Sequence, residues 1–285
     1  MGRGGKTALV LEGGAMRGLF TCGVLDVFME QGITFDGIAG ISAGAIAGSN
    51  FKSGQSGRVI RYNVRYAQDP RYAGLRSLIR TGDYFGADFC YHILPEQLDI
   101  FDRETFARNP MDFFVGATDI HTGKCVYHNC LKGDRTDFEW IRASASMPMF
   151  SRPVPLDGME LMDGGIASSV PYQVMRDHGY ARCLLVLTQP RGYRKKQTLG
   201  LPLIRGAMRR YPALVQAMAE RYVMYNRQMQ EIDEEESAGR MLAIRPPEDL
   251  NIRRTERRPK VLERVYRTGR QTGEKHLDDV RRFLT

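Results

Sequence analysis

The chain has 285 residues, 42% hydrophobic and 26% charged, with a net charge of +8, the composition of a globular protein with room for one large core. No run of about 18 apolar residues occurs, so a transmembrane helix is not expected, and the apolar stretch Thr7 to Leu11 is too short for a signal peptide, which points to the cytoplasm. The five cysteines (Cys22, Cys90, Cys125, Cys130, Cys183) form no C-x-x-C pair and the five histidines show no ligand spacing, so neither a disulfide framework, nor a metal, nor another cofactor is expected.

In chain order, TALVL at 7–11 reads as a buried strand and EGGAMRG as a glycine loop. LFTCGVLDVFMEQG then carries helical spacing that stops at Gly32, and FDGIAG returns as a second strand leading to Ser42. Strand, loop, helix and strand make a parallel pair and predict an α/β fold, three-layered with a mostly parallel central sheet. Residues 51–111 are rich in Arg and Tyr and read as helices and loops over the core. MDFFVGATDI and GKCVYHNC read as strands turning around His121, Thr122 and Gly123. PLDGMELMDGG reads as one strand ending at Asp163, RCLLVLTQ and RMLAIRPP as two more, and the acidic run at 231–236 as the solvated end of a helix beginning near Pro212.

The charge is concentrated late: residues 251–285 hold eleven Lys or Arg against five acids. This divides the chain into a main domain over 1–250 and a basic helical tail over 251–285. The tail is read first as a solvated helix face and second as a contact for anionic lipid headgroups. No zinc-finger or RNP-like aromatic pattern accompanies it, so nucleic acid is not expected as a partner.

Three loops ask for a common explanation: Gly13-Gly14-Ala15-Met16-Arg17-Gly18, Gly40-Ile41-Ser42-Ala43-Gly44, and Asp163-Gly164-Gly165. Each comes after an apolar strand, and in a parallel sheet the carboxyl ends of strands share one edge, where the loops converge. Gly40 and Gly44 leave room for a sharp strand-to-helix turn that pushes Ser42 outward, the arrangement of a nucleophile, although a packed turn explains the same pattern. The first loop lacks the Lys-Ser/Thr of a phosphate-binding P-loop, and Ala15 stands where a dinucleotide fingerprint needs its second glycine. Its N–H groups suit the oxyanion of a tetrahedral acyl intermediate instead. Asp163 reads either as a turn residue capping the next helix or, with two glycines clearing its approach, as a base.

Taken together the three loops resemble those of the patatin-like phospholipases, in which Gly-Gly-Gly-x-Arg/Lys-Gly is followed by Gly-x-Ser-x-Gly and later by Asp-Gly-Gly/Ala. GGAMRG, GISAG and DGG stand in those places, and ASASMPMF resembles the segment between serine and aspartate. The resemblance spans residues 7–190, with Ala15 departing from the third glycine. It implies a Ser42–Asp163 dyad without histidine, an oxyanion hole from Gly13, Gly14 and Ala15, motif residues Gly18, Gly40, Gly44, Gly164 and Gly165, and a basic Arg17 that either meets a substrate phosphate or forms a structural ion pair beside the loop. The implied activity is hydrolysis of carboxylic esters of phospholipids, lysophospholipids or other acyl lipids. Separately, the Tyr- and Arg-rich segment 58–94 and the basic tail are read as bordering the substrate entrance, either in peripheral contact with the inner membrane face or packed over the sheet. The alternatives are an acyltransferase sharing the acyl-serine, an α/β-hydrolase triad with His276, and a lipid-binding protein without turnover.

Overall fold

The structure is a computed structural model that describes residues 5–198 and 200–285. Eight strands form one sheet: β1 (Thr7–Leu11), β2 (Gly37–Ile41), β3 (Asp112–Asp119), β4 (Cys125–Asn129), β5 (Val154–Leu156), β6 (Met159–Asp163), β7 (Arg182–Val186) and β8 (Met241–Ile244). Their order is β5-β6-β3-β2-β1-β7-β8, with β4 paired to β3. The stretch from β3 through β2, β1 and β7 to β8 is parallel, while β4, β5 and β6 are antiparallel at one side. The principal helices are α1 (Gly18–Glu30), α2 (Ala43–Lys52), α3 (Arg58–Tyr66), α4 (Leu75–Thr81), α5 (Arg103–Arg108), α6 (Arg135–Ser144), α7 (Tyr172–Asp177), α8 (Leu201–Ala207), α9 (Pro212–Ser237), α10 (Pro259–Lys275) and α11 (Leu277–Leu284). A wide π-type helix, Phe89–Leu98, lies between α4 and α5.

Side chains alternate across a strand, and the central strands are apolar on both faces, so the sheet must be covered twice. Along β1, Leu9 and Leu11 join a core with Phe20, Val24 and Phe28 of α1 and Val265 of α10. Ala8 and Val10 face the opposite way, into a core with Met175 of α7 and Ile232 of α9. The expected three layers, helices on both faces of a mostly parallel sheet, are therefore present.

Two segments differ from the sequence reading. Residues 154–163 are not one strand but a hairpin, β5 and β6, turning at Asp157 (φ +50°) and Gly158 (φ +75°). An Asp-Gly pair with both φ positive is the tight turn whose twist suits a two-residue hairpin. The acidic end of α9 is also less solvated than expected. Glu236 pairs with Arg245 at 2.6 Å and accepts the Ala243 N–H at 2.9 Å, and Glu235 pairs with Arg240 at 2.6 Å and with Arg176, fastening α9 to β8 and α7.

The tail helix α10 lies along α1. Glycines make the approach possible: a Cβ on Gly269 would sit 2.0 Å from the Phe20 carbonyl oxygen, and one on Gly23 would sit 2.2 Å from that of Tyr266. The Tyr266 hydroxyl donates to Asp26 Oδ2 at 2.6 Å, and Arg270 grips Glu30 with two bonds of 2.7 Å. Residues 259–284 thus form part of the helical layer over one face of the sheet.

Candidate active site

Ser42 stands between β2 and α2 with φ +54° and ψ −121°. A non-glycine residue in that region costs about 1–3 kcal/mol and persists only where its surroundings fix it. Here they do. Gly44 lies so close to β1 that a Cβ would sit 2.4 Å from the Leu11 carbonyl oxygen, and a Cβ on Gly18 would meet that of Ala43 at 2.5 Å, which holds α1 and α2 together at the turn. Gly40 is buried within β2. The Ser42 N–H donates 2.8 Å to Ser144 Oγ, whose hydroxyl donates 2.6 Å to the Gly116 carbonyl.

Asp163 ends β6 and comes to Ser42 across 121 positions of sequence: Ser42 Oγ donates to Asp163 Oδ2 at 2.8 Å. Oδ1 accepts the Gly165 N–H at 2.8 Å, so both carboxylate oxygens are held. Its main chain is fixed by Thr118 Oγ1, which donates to its carbonyl at 2.9 Å, and by its own N–H, which donates 2.8 Å to Ser146 O. Gly164 fits tightly against Gly116 of β3. Burial pushes the Asp163 carboxyl above its ordinary range, while the Arg221 guanidinium, the Ser42 hydroxyl and the Gly165 N–H pull it back. Such a carboxyl accepts a proton more readily than an exposed one, as a general base must.

The glycine loop runs beside this pair. Gly13 N–H donates to Ser169 O at 3.4 Å, a long bond, whereas the N–H groups of Gly14 and Ala15 have no acceptor among the described residues. They open the short helical turn Ala15–Arg17 that leads into α1. Free donors at a helix start favour negative charge. Ala15 holds φ +49°, the conformation the glycine of the resembled motif would adopt without strain. Arg17 comes next but one, its Nε buried and unpartnered.

A cavity of about 140 Å³ has Ser42 in its wall and is otherwise mostly apolar, with Met16, Leu19, Tyr62, Phe85, Leu94 and Phe138 among its lining. The Arg- and Tyr-rich segment of residues 58–95 supplies much of this wall, so it covers the serine. None of the five histidines hydrogen-bonds Ser42 or Asp163. His92 meets Glu139, His121 meets Glu160, His128 meets Asp137, His178 bonds the Val174 carbonyl, and His276, between α10 and α11, meets Asp279. The direct Ser42–Asp163 bond leaves no place for an imidazole between them. His128, Cys130 and Asp137 do gather, but Asp137 is occupied by His128 and by the N–H groups of Lys132 and Gly133, which makes the trio a hydrogen-bonded brace between β4 and α6.

Every residue of the three motifs is therefore brought to one sheet edge. Sequence reasoning missed Ser144, Thr118 and Arg221. The serines of ASAS offered a weak signal, since they fall in the segment between nucleophile and aspartate. Arg221, one of two arginines on α9, offered none.

Fold and site define an α/β protein with a buried serine–carboxylate pair beside a glycine loop of unpaired N–H groups. The chain belongs to the patatin-like phospholipase family, whose model matches residues 9–176. Residues 211–285 match a second model, a domain of unknown function named DUF6363. The chain is 28% identical to the Escherichia coli K12 protein YjjU, over 99% of its own length and 80% of that protein. It is 30% identical to the rat patatin-like phospholipase domain-containing protein 7 over 62% of its length, but spans only 13% of that relative. Among solved structures, VipD from Legionella pneumophila aligns with a TM-score of 0.49 and 12% identity, covering 96% of this chain and 67% of the other.

Proposed function

We propose that the protein is a serine acyl hydrolase that cleaves carboxylic esters of lysophospholipids, phospholipids or other acyl lipids through a Ser42–Asp163 dyad. The observation that carries this reading is the 2.8 Å hydrogen bond from Ser42 Oγ to a buried carboxylate, next to free N–H donors. Asp163 takes the hydroxyl proton as Ser42 Oγ bonds to the ester carbonyl carbon, and the oxyanion rests on the N–H groups of Gly14 and Ala15, with Gly13 adding a donor if its long bond to Ser169 is released. Collapse breaks the carbon–alkoxy bond, and Asp163 returns the proton to the departing alcohol. Water then gives a proton to Asp163 and attacks the acyl-serine, and Ser42 recovers that proton as the carboxylic acid leaves.

The apolar cavity sets the acyl group. Its volume, about 140 Å³, is close to that of an engineered apolar cavity of about 150 Å³ that holds a benzene molecule, which corresponds to roughly six carbons. A series of p-nitrophenyl esters is expected to give the highest kcat/KM near that length, and a steady rise to long chains would contradict the assignment. The nucleophile is tested by a fluorophosphonate probe: one label per chain on Ser42, absent in Ser42→Ala, is expected, and labelling elsewhere or none sinks the reading.

Work at a lipid surface is supported by α4, where Leu75 is 71% and Ile79 83% exposed beside the exposed Arg76 and Arg80, one turn before Asp83 in the cavity wall. Apolar side chains flanked by cations suit an anionic interface. Leu75→Asp with Ile79→Asp should abolish sedimentation with anionic vesicles, and unchanged sedimentation would refute membrane contact through α4. In this reading the protein acts at the inner face of the membrane, from the cytoplasm.

A further inference from the structure

A second cavity, about 310 Å³, shares no lining residue with the first and is walled by Tyr193, Arg194, Lys195, Lys196, Arg221 and Arg254. It is built entirely from chain beyond residue 176, outside the segment that matches the family model. The Arg221 guanidinium lies over the Asp163 turn, 3.1 Å from where a Cβ on Gly165 would stand. The two cavities therefore flank the serine–aspartate pair: one apolar at Ser42, the other cationic beside Asp163.

Several cations elsewhere in the chain are neutralised by carboxylates. Arg245, Arg270 and Arg258 hold carboxylates at 2.6 to 2.7 Å. Among the described residues Arg17, Arg194, Lys195, Lys196, Arg221 and Arg254 have no carboxylate within ion-pair distance. Arg17 and Arg221 each carry a buried Nε without a partner. The carboxylates nearby are taken: Glu12 accepts the Thr188 N–H at 2.6 Å, and Asp163 holds Ser42 and Gly165. The mutual repulsion registers on Lys195. Its ammonium, 4.2 Å from the Tyr225 ring centroid, is pushed down to about 7 by burial and by Arg221, Arg17 and Arg254, against the pull of Glu12. Crowding like charges in partly buried space is unfavourable unless an anion joins them, and two arginines with a lysine match the oxygens of a phosphate.

We propose that this cavity is a phosphate-binding site, in which Lys195, Arg221 and Arg254 hold the phosphate of an acylated phosphate ester while its acyl group reaches Ser42. The headgroup assignment rests on the hydrolase reading above; the binding of phosphate does not. Arg254 is exposed, so its replacement leaves the core intact.

The test uses the full chain. Inorganic phosphate is titrated calorimetrically into the wild type, Arg254→Gln and Lys195→Gln. In parallel, kcat/KM is measured for a 1-acylglycerol 3-phosphate and the phosphate-free 1-acylglycerol of equal chain length. Each substitution is expected to weaken phosphate binding about tenfold, the loss of one charge-assisted contact, and to lower the preference for the phosphorylated substrate by a similar factor. Absence of phosphate binding to the wild type overturns the site. Phosphate binding that the variants weaken, with the substrate ratio unmoved, overturns the headgroup assignment and leaves a site for free phosphate. A wild type that binds phosphate yet cleaves neither ester refutes the hydrolase reading while the site stands.

Discussion

Gly269→Ala is the sharpest probe of how the C-terminal helices belong to the fold. The new Cβ would lie 2.0 Å from the Phe20 carbonyl oxygen, and real Cβ atoms do not approach a neighbour within 3.0 Å, so α10 must move away from α1 by at least 1.0 Å. The obstacle is backbone, which no rotamer change relieves. Overpacking of this kind costs about 1–3 kcal/mol. The shift also pulls the Tyr266 hydroxyl from Asp26, a buried carboxyl already raised by burial, and a hydrogen bond to a charged group contributes about 1.5–3 kcal/mol. Alanine returns about 1 kcal/mol as a better helix former than glycine. The expected net loss is about 1.5–5 kcal/mol, read as a lower urea midpoint with an unchanged slope. Gly23→Ala, whose Cβ would stand 2.2 Å from the Tyr266 carbonyl oxygen, should behave alike, and the double variant should cost less than the two together because the helices have already parted. A loss under about 0.5 kcal/mol for Gly269→Ala, or strict additivity, would refute close helix contact as the reason for these glycines.

The site itself yields two more expected outcomes. Because burial raises the Asp163 carboxyl and the base must be ionised, activity should fall as pH drops through a value above the ordinary carboxylate range; Arg221 opposes the rise, so Arg221→Gln should move this acid limb to higher pH, and a limb that stays in place in a pH–rate profile would show that Arg221 does not act on Asp163. Ala15→Gly should retain activity, since the N–H donor remains. It should also stabilise the protein by about 0.5–1 kcal/mol, the left-handed penalty of about 1–2 kcal/mol less the extra freedom of the unfolded chain, and a clear destabilisation in thermal unfolding would contradict the strain at φ +49°.

The parts of the fold legible in the sequence are those governed by local rules. β1, β2 and β7 are short runs of apolar or small residues because both faces are buried, and the three loops announce themselves through glycines needed for close backbone approach. The hairpin of residues 154–163 carried its signal in Asp157-Gly158, but the apolar residues on either side read as one continuous strand. The charge of the tail masks Gly269 and Gly273, which are buried against α1 together with Leu262 and Val265. No local pattern could give the arrangement of Ser144 and Arg221 around the serine and aspartate. Ser144 reaches Ser42 from the end of α6, and Arg221 reaches the Asp163 turn from the middle of α9, and only tertiary packing brings those helices to the sheet edge.

Whether Ser42 and Asp163 act as a pair without a histidine is decided by hydrolysis of p-nitrophenyl acyl esters by the wild type beside Ser42→Ala, Asp163→Asn and His276→Ala, each first shown to be folded. The first two variants should lose activity by at least about a hundredfold, the low end of a positioned base's contribution, while His276→Ala keeps the wild-type rate. An active Asp163→Asn, or an inactive but folded His276→Ala, would contradict the dyad.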